Sequence, residues 1–288
     1  MTRDTWRRLL LPDGEPTSGS PTLWSLPKLR STELQNYRDL IVALPPSYDE
    51  GTRAYPLIVM HDGQNLFDPD TSFAGSWDMI GVLRDLARAG VEVIIAGVAN
   101  TGPFRRYEYS PFRDPKHGGG DGDRYLSFLI DQVIPAVEST FRVDRSVETR
   151  AIAGSSMGGL VSLYALWKRP DVFGAAAALS PSAWFADEAV IDFVNRTPLP
   201  PGRLWLDTGT EEGPLMLETV RRLRDAIEER GLTPGPRFEY VEDEGAGHRE
   251  DFWGMRMKRA IPFLVGQSVS RPVGQQPDPR RPTDRLTD

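Results

Sequence analysis

Between residues 37 and 264, short apolar, β-rich runs alternate with stretches of helical spacing, and this alternation leaves few architectures open. Residues 37–44 (YRDLIVAL) read as a strand closed by Pro45-Pro46. Residues 57–60 read as a second strand, running into His61-Asp62-Gly63. Residues 78–89 have helical spacing, with Ile80, Leu83 and Ala87 on one face and Gly90 as the stop. Residues 91–98 are almost continuously apolar, as in a strand buried on both faces. Residues 123–141 predict a long helix kinked by Pro135. Strands are then expected at 150–153, 174–179, 204–207 and 238–241, and helices at 158–168, 187–194, 215–230 and 250–264. Alternation of this length predicts an α/β fold, a mostly parallel central sheet with helices on both faces. Ligands of such sheets bind beyond the C-terminal ends of the strands.

A chain of 288 residues suits one large domain. The polar, Gly-, Pro- and Ser-rich residues 1–20 predict a flexible arm, 21–266 the single domain, and the proline- and charge-rich 267–288 a disordered tail. The formal charge of −7 weighs against nucleic acid and anionic membranes as partners. With no cysteine, the chain has no disulfide, no thiolate chemistry and no cysteine-held metal. The apolar run at residues 9–11 is shorter than the roughly seven residues of a signal peptide. No stretch approaches the roughly 18 apolar residues of a membrane span, so the chain reads as cytoplasmic.

After the strand at 150–153 comes Gly154-Ser155-Ser156-Met157-Gly158-Gly159. This fits G-x-S-x-G in the required place, between a strand and a helix, where a nucleophilic serine sits on a strained turn. The bland alternative is a glycine-rich turn. Ser155 stands one residue too early, and no Gly-Lys-Ser/Thr follows to make a phosphate loop. Serine is a weak nucleophile at neutral pH and needs a base. Of the three histidines, His61 and His117 both precede Ser156; only His248 comes late enough for the chain order serine, acid, histidine. The acid is expected after the strand at 204–207. Glu212 is the first choice, Glu211 the second and Asp207 the third, the adjacent glutamates being inseparable by pattern. The oxyanion donors are expected to be the backbone amides of Met157 and Gln64, with Gly63 allowing the approach; an ordinary turn around Asp62-Gly63 is the alternative.

Taken together, these residues resemble the family of esterase D and enterochelin esterase-like α/β-hydrolases. The matching segments are Asn36-Tyr37-Arg38-Asp39 with LPPSY, then HDGQNLFD from His61 to Asp68, and Arg106-Tyr107-Glu108-Tyr109-Ser110-Pro111. GSSMGG, Ser180-Pro181-Ser182, Gly209-Thr210-Glu211-Glu212 and Gly245-Ala246-Gly247-His248 follow, so the likeness spans about residues 30–265. The resemblance implies an α/β-hydrolase with no metal or organic cofactor, with Ser156, His248 and Glu212 in the catalytic positions and a small-molecule ester as substrate. Arg249 departs from the smaller polar residue expected after the histidine.

The insert at 100–123 is this chain's individual part. Arg105, Arg106 and Tyr107 are candidate substrate contacts, an arginine there being suited to a substrate carboxylate; the alternative is a solvated loop with Arg106–Glu108 pairing. Asp121 and Asp123 lack the other ligands of a calcium loop. Trp184 is a candidate wall of the acyl pocket, or plain core. The sequence therefore predicts a serine carboxylic-ester hydrolase working through an acyl-enzyme. An acyltransferase on the same residues, or a catalytically silent binding module, are the alternatives.

Overall fold

The computed structural model describes residues 5–12, 14, 19–72 and 75–267. All but the first residue of the expected C-terminal tail, 267–288, lies outside them. In chain order the elements are β1 (Arg7–Leu9), β2 (Thr22–Ser31), β3 (Asn36–Leu44), β4 (Leu57–His61), α1 (Met79–Arg88), β5 (Ile94–Val98), α2 (Arg105–Glu108), β6 (Arg113–Asp114), β7 (Gly118–Gly119), α3 (Gly122–Phe128), α4 (Ile134–Glu138), β8 (Arg150–Ser155), α5 (Met157–Lys168), β9 (Ala175–Leu179), α6 (Phe185–Arg196), β10 (Arg203–Gly209), α7 (Pro214–Glu229), β11 (Phe238–Asp243) and α8 (Glu250–Leu264).

Nine strands form one sheet in the order β1-β2-β3-β5-β4-β8-β9-β10-β11, and β6 pairs with β7 separately. From β5 to β11 every neighbouring pair is parallel. The three pairs at the other edge are antiparallel. The strand order reverses around β4 and β8, so their C-terminal ends form the crevice where an open α/β sheet receives ligand.

Strand alternation sorts the core into two layers. Leu57 and Val59 of β4 pack with residues of α3 to α7, while Ile58 and Met60 pack with α1 and α8. Helix α5 is buried on all sides except at Lys168. It lies close to the sheet because Ala176 and Ala178 of β9 and Gly159 of α5 leave room; a Cβ on Gly159 would stand 2.8 Å from the Leu179 carbonyl oxygen.

Two expectations need correction, and one strand was not foreseen. The arm is not loose throughout: Arg7–Leu9 pairs with Leu23–Ser25 at the sheet edge, and Trp6 is buried against Phe141. The strand β2 was hidden by Pro27, which is tolerated because the register slips there, between Leu26 and Leu29. The long helix at 123–141 is two helices joined by a single π turn over Leu129–Val133. Pro135 has no N–H and would clash with the carbonyl one turn earlier, and the helix widens ahead of it.

Candidate active site

Ser156 stands between the last residue of β8 and the first of α5, with φ 57° and ψ −122°. A non-glycine residue in that region is strained and persists only when its surroundings hold it. They do so here: the Ser156 amide donates to Leu179 O at 3.0 Å, and its carbonyl accepts from the amides of Leu160 and Ser182, both at 3.0 Å. The glycine two residues before Ser156 is sterically required. A Cβ on Gly154 would come within 2.8 Å of His61 Cδ2 and 3.0 Å of the Gly158 carbonyl carbon. Ser156 Oγ lies 3.2 Å from Ser182 Oγ.

His248 follows β11, and its Nδ1 is 2.8 Å from Glu212 Oε2. Of the three acid candidates, Glu212 alone touches the imidazole. Glu211 points to solvent. Asp207 is fully buried and bonded instead to Arg256 Nη1 at 2.7 Å, Trp205 Nε1 at 2.8 Å and the Ser180 amide at 3.2 Å. The other carboxylate oxygen of Glu212 accepts from the Gly209 amide (2.9 Å), Ser180 Oγ (2.6 Å) and Arg256 Nη2 (2.9 Å). Burial pushes the Glu212 carboxyl up, but the hydrogen bonds from His248, Ser180 and Arg256 outweigh it and hold the group below its ordinary value. The edge of the imidazole meets the Trp253 ring at 4.8 Å between centroids.

Gln64 lies in a tight 3₁₀ turn, Gly63–Asn65, directly after β4. Gly63 is indispensable to that turn, since a Cβ there would stand 2.6 Å from the Gly97 carbonyl carbon on β5. The turn is clamped from both sides. Asp62, in the left-handed conformation, takes a bidentate pair from Arg105 (Nε to Oδ1 and Nη2 to Oδ2, both 2.7 Å) and a third bond from Asn100 Nδ2 at 2.7 Å. The Gln64 side chain accepts from the Asn100 amide at 3.1 Å. Met157 is the first residue of α5, where helix amides have no intrahelical acceptor.

A cleft of about 560 Å³ opens over these groups. Ser156, His248, Gln64 and Arg105 line it, together with Asp62, Asn65, Asn100, Glu250, Trp77 and Trp253. Burial and the nearby Asp62 charge raise the Glu250 carboxyl above its ordinary value. Ser156 and His248 share the cleft without a hydrogen bond between them; serine sites free of substrate commonly hold that contact long. Among the described residues no group of three or more His, Cys, Asp or Glu could hold a metal ion. No helix among them is long and apolar enough to cross a membrane.

The remaining sequence candidates fare unevenly. Arg105 reaches the cleft, but two of its nitrogens are committed to Asp62. Arg106 is exposed and outside the cleft. Its expected partner Glu108 is instead buried against Arg38 at 3.0 Å. Tyr107 lies over Gly118 on the outer hairpin, and Trp184 packs on His117 and Phe185; neither lines the cleft. Sequence reasoning missed Trp253, Glu250, Asn100 and Arg256. The helical spacing of Trp253 and Arg256, one turn apart after His248, was the available signal.

Comparison with known proteins bears on this geometry. The family model described as "Putative esterase" matches residues 31–264. The uncharacterized protein YbbA of Bacillus subtilis is 28% identical over 249 residues, covering 81% of this chain and 94% of that protein. A siderophore triacetylfusarinine C esterase of Aspergillus fumigatus is 30% identical over 57% of this chain and 59% of its own length. Among solved structures, the BES protein of Bacillus cereus superposes with a TM-score of 0.67 at 19% identity, covering 86% of this chain and 95% of that one. The enterobactin esterase FES of Shigella flexneri gives 0.65 at 18% identity, over 82% of this chain and 57% of that one. Matched over residues 31–264 and sharing the α/β-hydrolase fold, the chain belongs to this esterase family, hydrolases of carboxylic esters.

Proposed function

We propose that the protein cleaves small-molecule carboxylic esters through an acyl-enzyme on Ser156. The observation that carries this reading is the pairing, in one cleft, of a strained serine at the β8–α5 junction with a histidine held by a buried glutamate. His248 takes the Ser156 proton as Oγ attacks the ester carbonyl, then gives it to the departing alcohol. Water repeats the sequence on the acyl-enzyme. Glu212 fixes the imidazole with Nδ1–H facing it, leaving Nε2 for the serine, and stabilises the imidazolium. The Met157 and Gln64 amides receive the developing oxyanion, each worth roughly 3 kcal/mol of barrier.

The cleft lining favours a polar ester over a long alkyl chain. Beside Trp77 and Trp253 it offers the amides of Gln64, Asn65 and Asn100 and the charges of Arg105 and Glu250. Two of the relatives are named as siderophore esterases.

The test is hydrolysis of p-nitrophenyl esters from acetate to octanoate by wild type and Ser156→Ala, with and without an added alcohol. The expected result is activity that is highest on the short esters and falls in the variant by up to a factor on the order of 10⁶. A variant that keeps most of the activity overturns the reading. An alcohol that captures nearly all the acyl group makes the protein a transferase.

A further inference from the structure

Arg256 lies one helical turn past Trp253 on α8, with none of its side chain exposed. Three carboxylates surround it: Asp207 at 2.7 Å, Glu212 at 2.9 Å and Asp243 at 3.6 Å. Arg259 takes up Asp243 from outside, at 2.7 Å. The guanidinium therefore neutralises one of the two innermost charges, Asp207 and Glu212, and leaves one to face His248. Its fork also sets geometry. Nη1 donates to both Asp207 Oδ1 and Ser180 Oγ (2.9 Å), and Nη2 donates to Glu212 Oε1. Ser180 Oγ accepts additionally from Trp253 Nε1 at 3.1 Å and donates its own hydrogen bond to Glu212 Oε1. Every donor to the Glu212 carboxylate other than the imidazole (the Gly209 amide, Ser180 Oγ and Arg256 Nη2) meets Oε1, so Oε2 is left to His248.

We infer that Arg256 is a positioning residue for the reaction, aiming Oε2 of Glu212 at His248 and keeping that carboxylate charged beside Asp207. The inference rests on the reading of Ser156, His248 and Glu212 given above. Two carboxylates buried side by side without a cation cannot both stay ionised. If Glu212 were the one protonated, it would no longer hold the imidazole in its working tautomer. Losing the cation also favours imidazolium directly. Both effects disable the site at higher pH than in wild type. Lysine keeps the charge but cannot donate in two directions from a planar fork.

The experiment compares the full-length wild type with Arg256→Lys, Arg256→Gln and the double variant Arg256→Gln/Asp207→Asn. The double variant removes both members of the buried pair and so spares the fold an uncompensated charge. Each protein is titrated with a fluorophosphonate to count reactive serines, and kcat and KM per titrated site are measured across pH on p-nitrophenyl acetate. For both glutamine variants the expected loss in kcat is on the order of 10²-fold, below the roughly 10⁴-fold of disabling the acid itself. KM should change by no more than a few-fold. In Arg256→Gln the acid limb of kcat/KM should move up by about half a unit. Arg256→Lys should recover part of kcat and the wild-type acid limb. A double variant with wild-type kcat per titrated site, or glutamine variants that lose only thermal stability and titratable sites, would overturn the inference. A wild type that hydrolyses the ester but takes no label overturns the serine reading and the inference with it.

Discussion

His61 ends β4 beneath the Ser156 turn, wholly buried, with Nδ1 2.9 Å from the Tyr125 hydroxyl and Nε2 without a hydrogen-bond partner. Desolvation dominates its titration; Asp62 opposes that effect, Arg105 and Arg38 add to it, and the imidazole is pushed from 6.5 down to about 3. The folded value lies below the unfolded one, so the unfolded chain binds the extra proton throughout the window between them. The stability contribution is complete above pH 6.5 and drains away as pH falls toward 3. Each unit in that window is worth about 1.4 kcal/mol, so lowering the pH from 8 to 5 removes about 2 kcal/mol through His61 alone. The substitution His61→Asn leaves an amide in place of Nδ1 and removes the titrating group. Urea unfolding followed by tryptophan fluorescence, at both pH values, measures the difference directly. Wild type should lose about 2 kcal/mol more than the variant, whatever the variant's stability at pH 8. The other two histidines, His117 and His248, are present in both proteins and cancel in the comparison. Equal losses in the two proteins would refute the burial of a neutral imidazole beneath the serine turn.

Other outcomes follow from the same geometry. Gly63→Ala forces the Gln64 turn off the β5 backbone, and kcat should fall on the order of 10²–10³ with KM little changed, as for a lost oxyanion donor; unchanged kcat would place the donor elsewhere. Glu212→Gln should cost on the order of 10⁴ in kcat while Glu211→Gln stays within a few-fold, and the reverse ranking would reassign the acid. Arg105→Lys loses the bidentate grip on Asp62, so hydrolysis should weaken alike for neutral and carboxylate-bearing esters. A loss confined to the carboxylate-bearing esters would make Arg105 a substrate contact instead.

The parts of the molecule written in local patterns were legible from sequence. The inner parallel strands β4, β5 and β9 are continuous apolar runs because both faces are covered, and each strand–helix alternation landed on a real element. GSSMGG declared itself because only glycines let His61 and Leu179 approach the turn so closely. What stayed hidden depends on contacts between distant segments. The edge strands β1 and β2 are pinned by pairing and by Trp6 burial, and Pro27 obscured the second of them. The choice among Glu211, Glu212 and Asp207 rests on which carboxylate meets Arg256, some 44 residues beyond Glu212, and His248. The insert was open to two readings, substrate contacts or a solvated loop, because the partners of its charged residues lie far away in the chain. Arg105 and Glu108 turn inward to brace Asp62 and Arg38, while Arg106 and Tyr107 stay outside the cleft.

The central claim is that Ser156 is the atom-bearing nucleophile, and mass spectrometry of a fluorophosphonate adduct tests it most directly. Trypsin releases residues 151–168 as one peptide, which carries Ser155, Ser156 and Ser162. The account predicts a single adduct on Ser156, formed in Ser155→Ala and absent in Ser156→Ala. An adduct on any other residue, or ester hydrolysis by a wild type that forms no adduct, would contradict it.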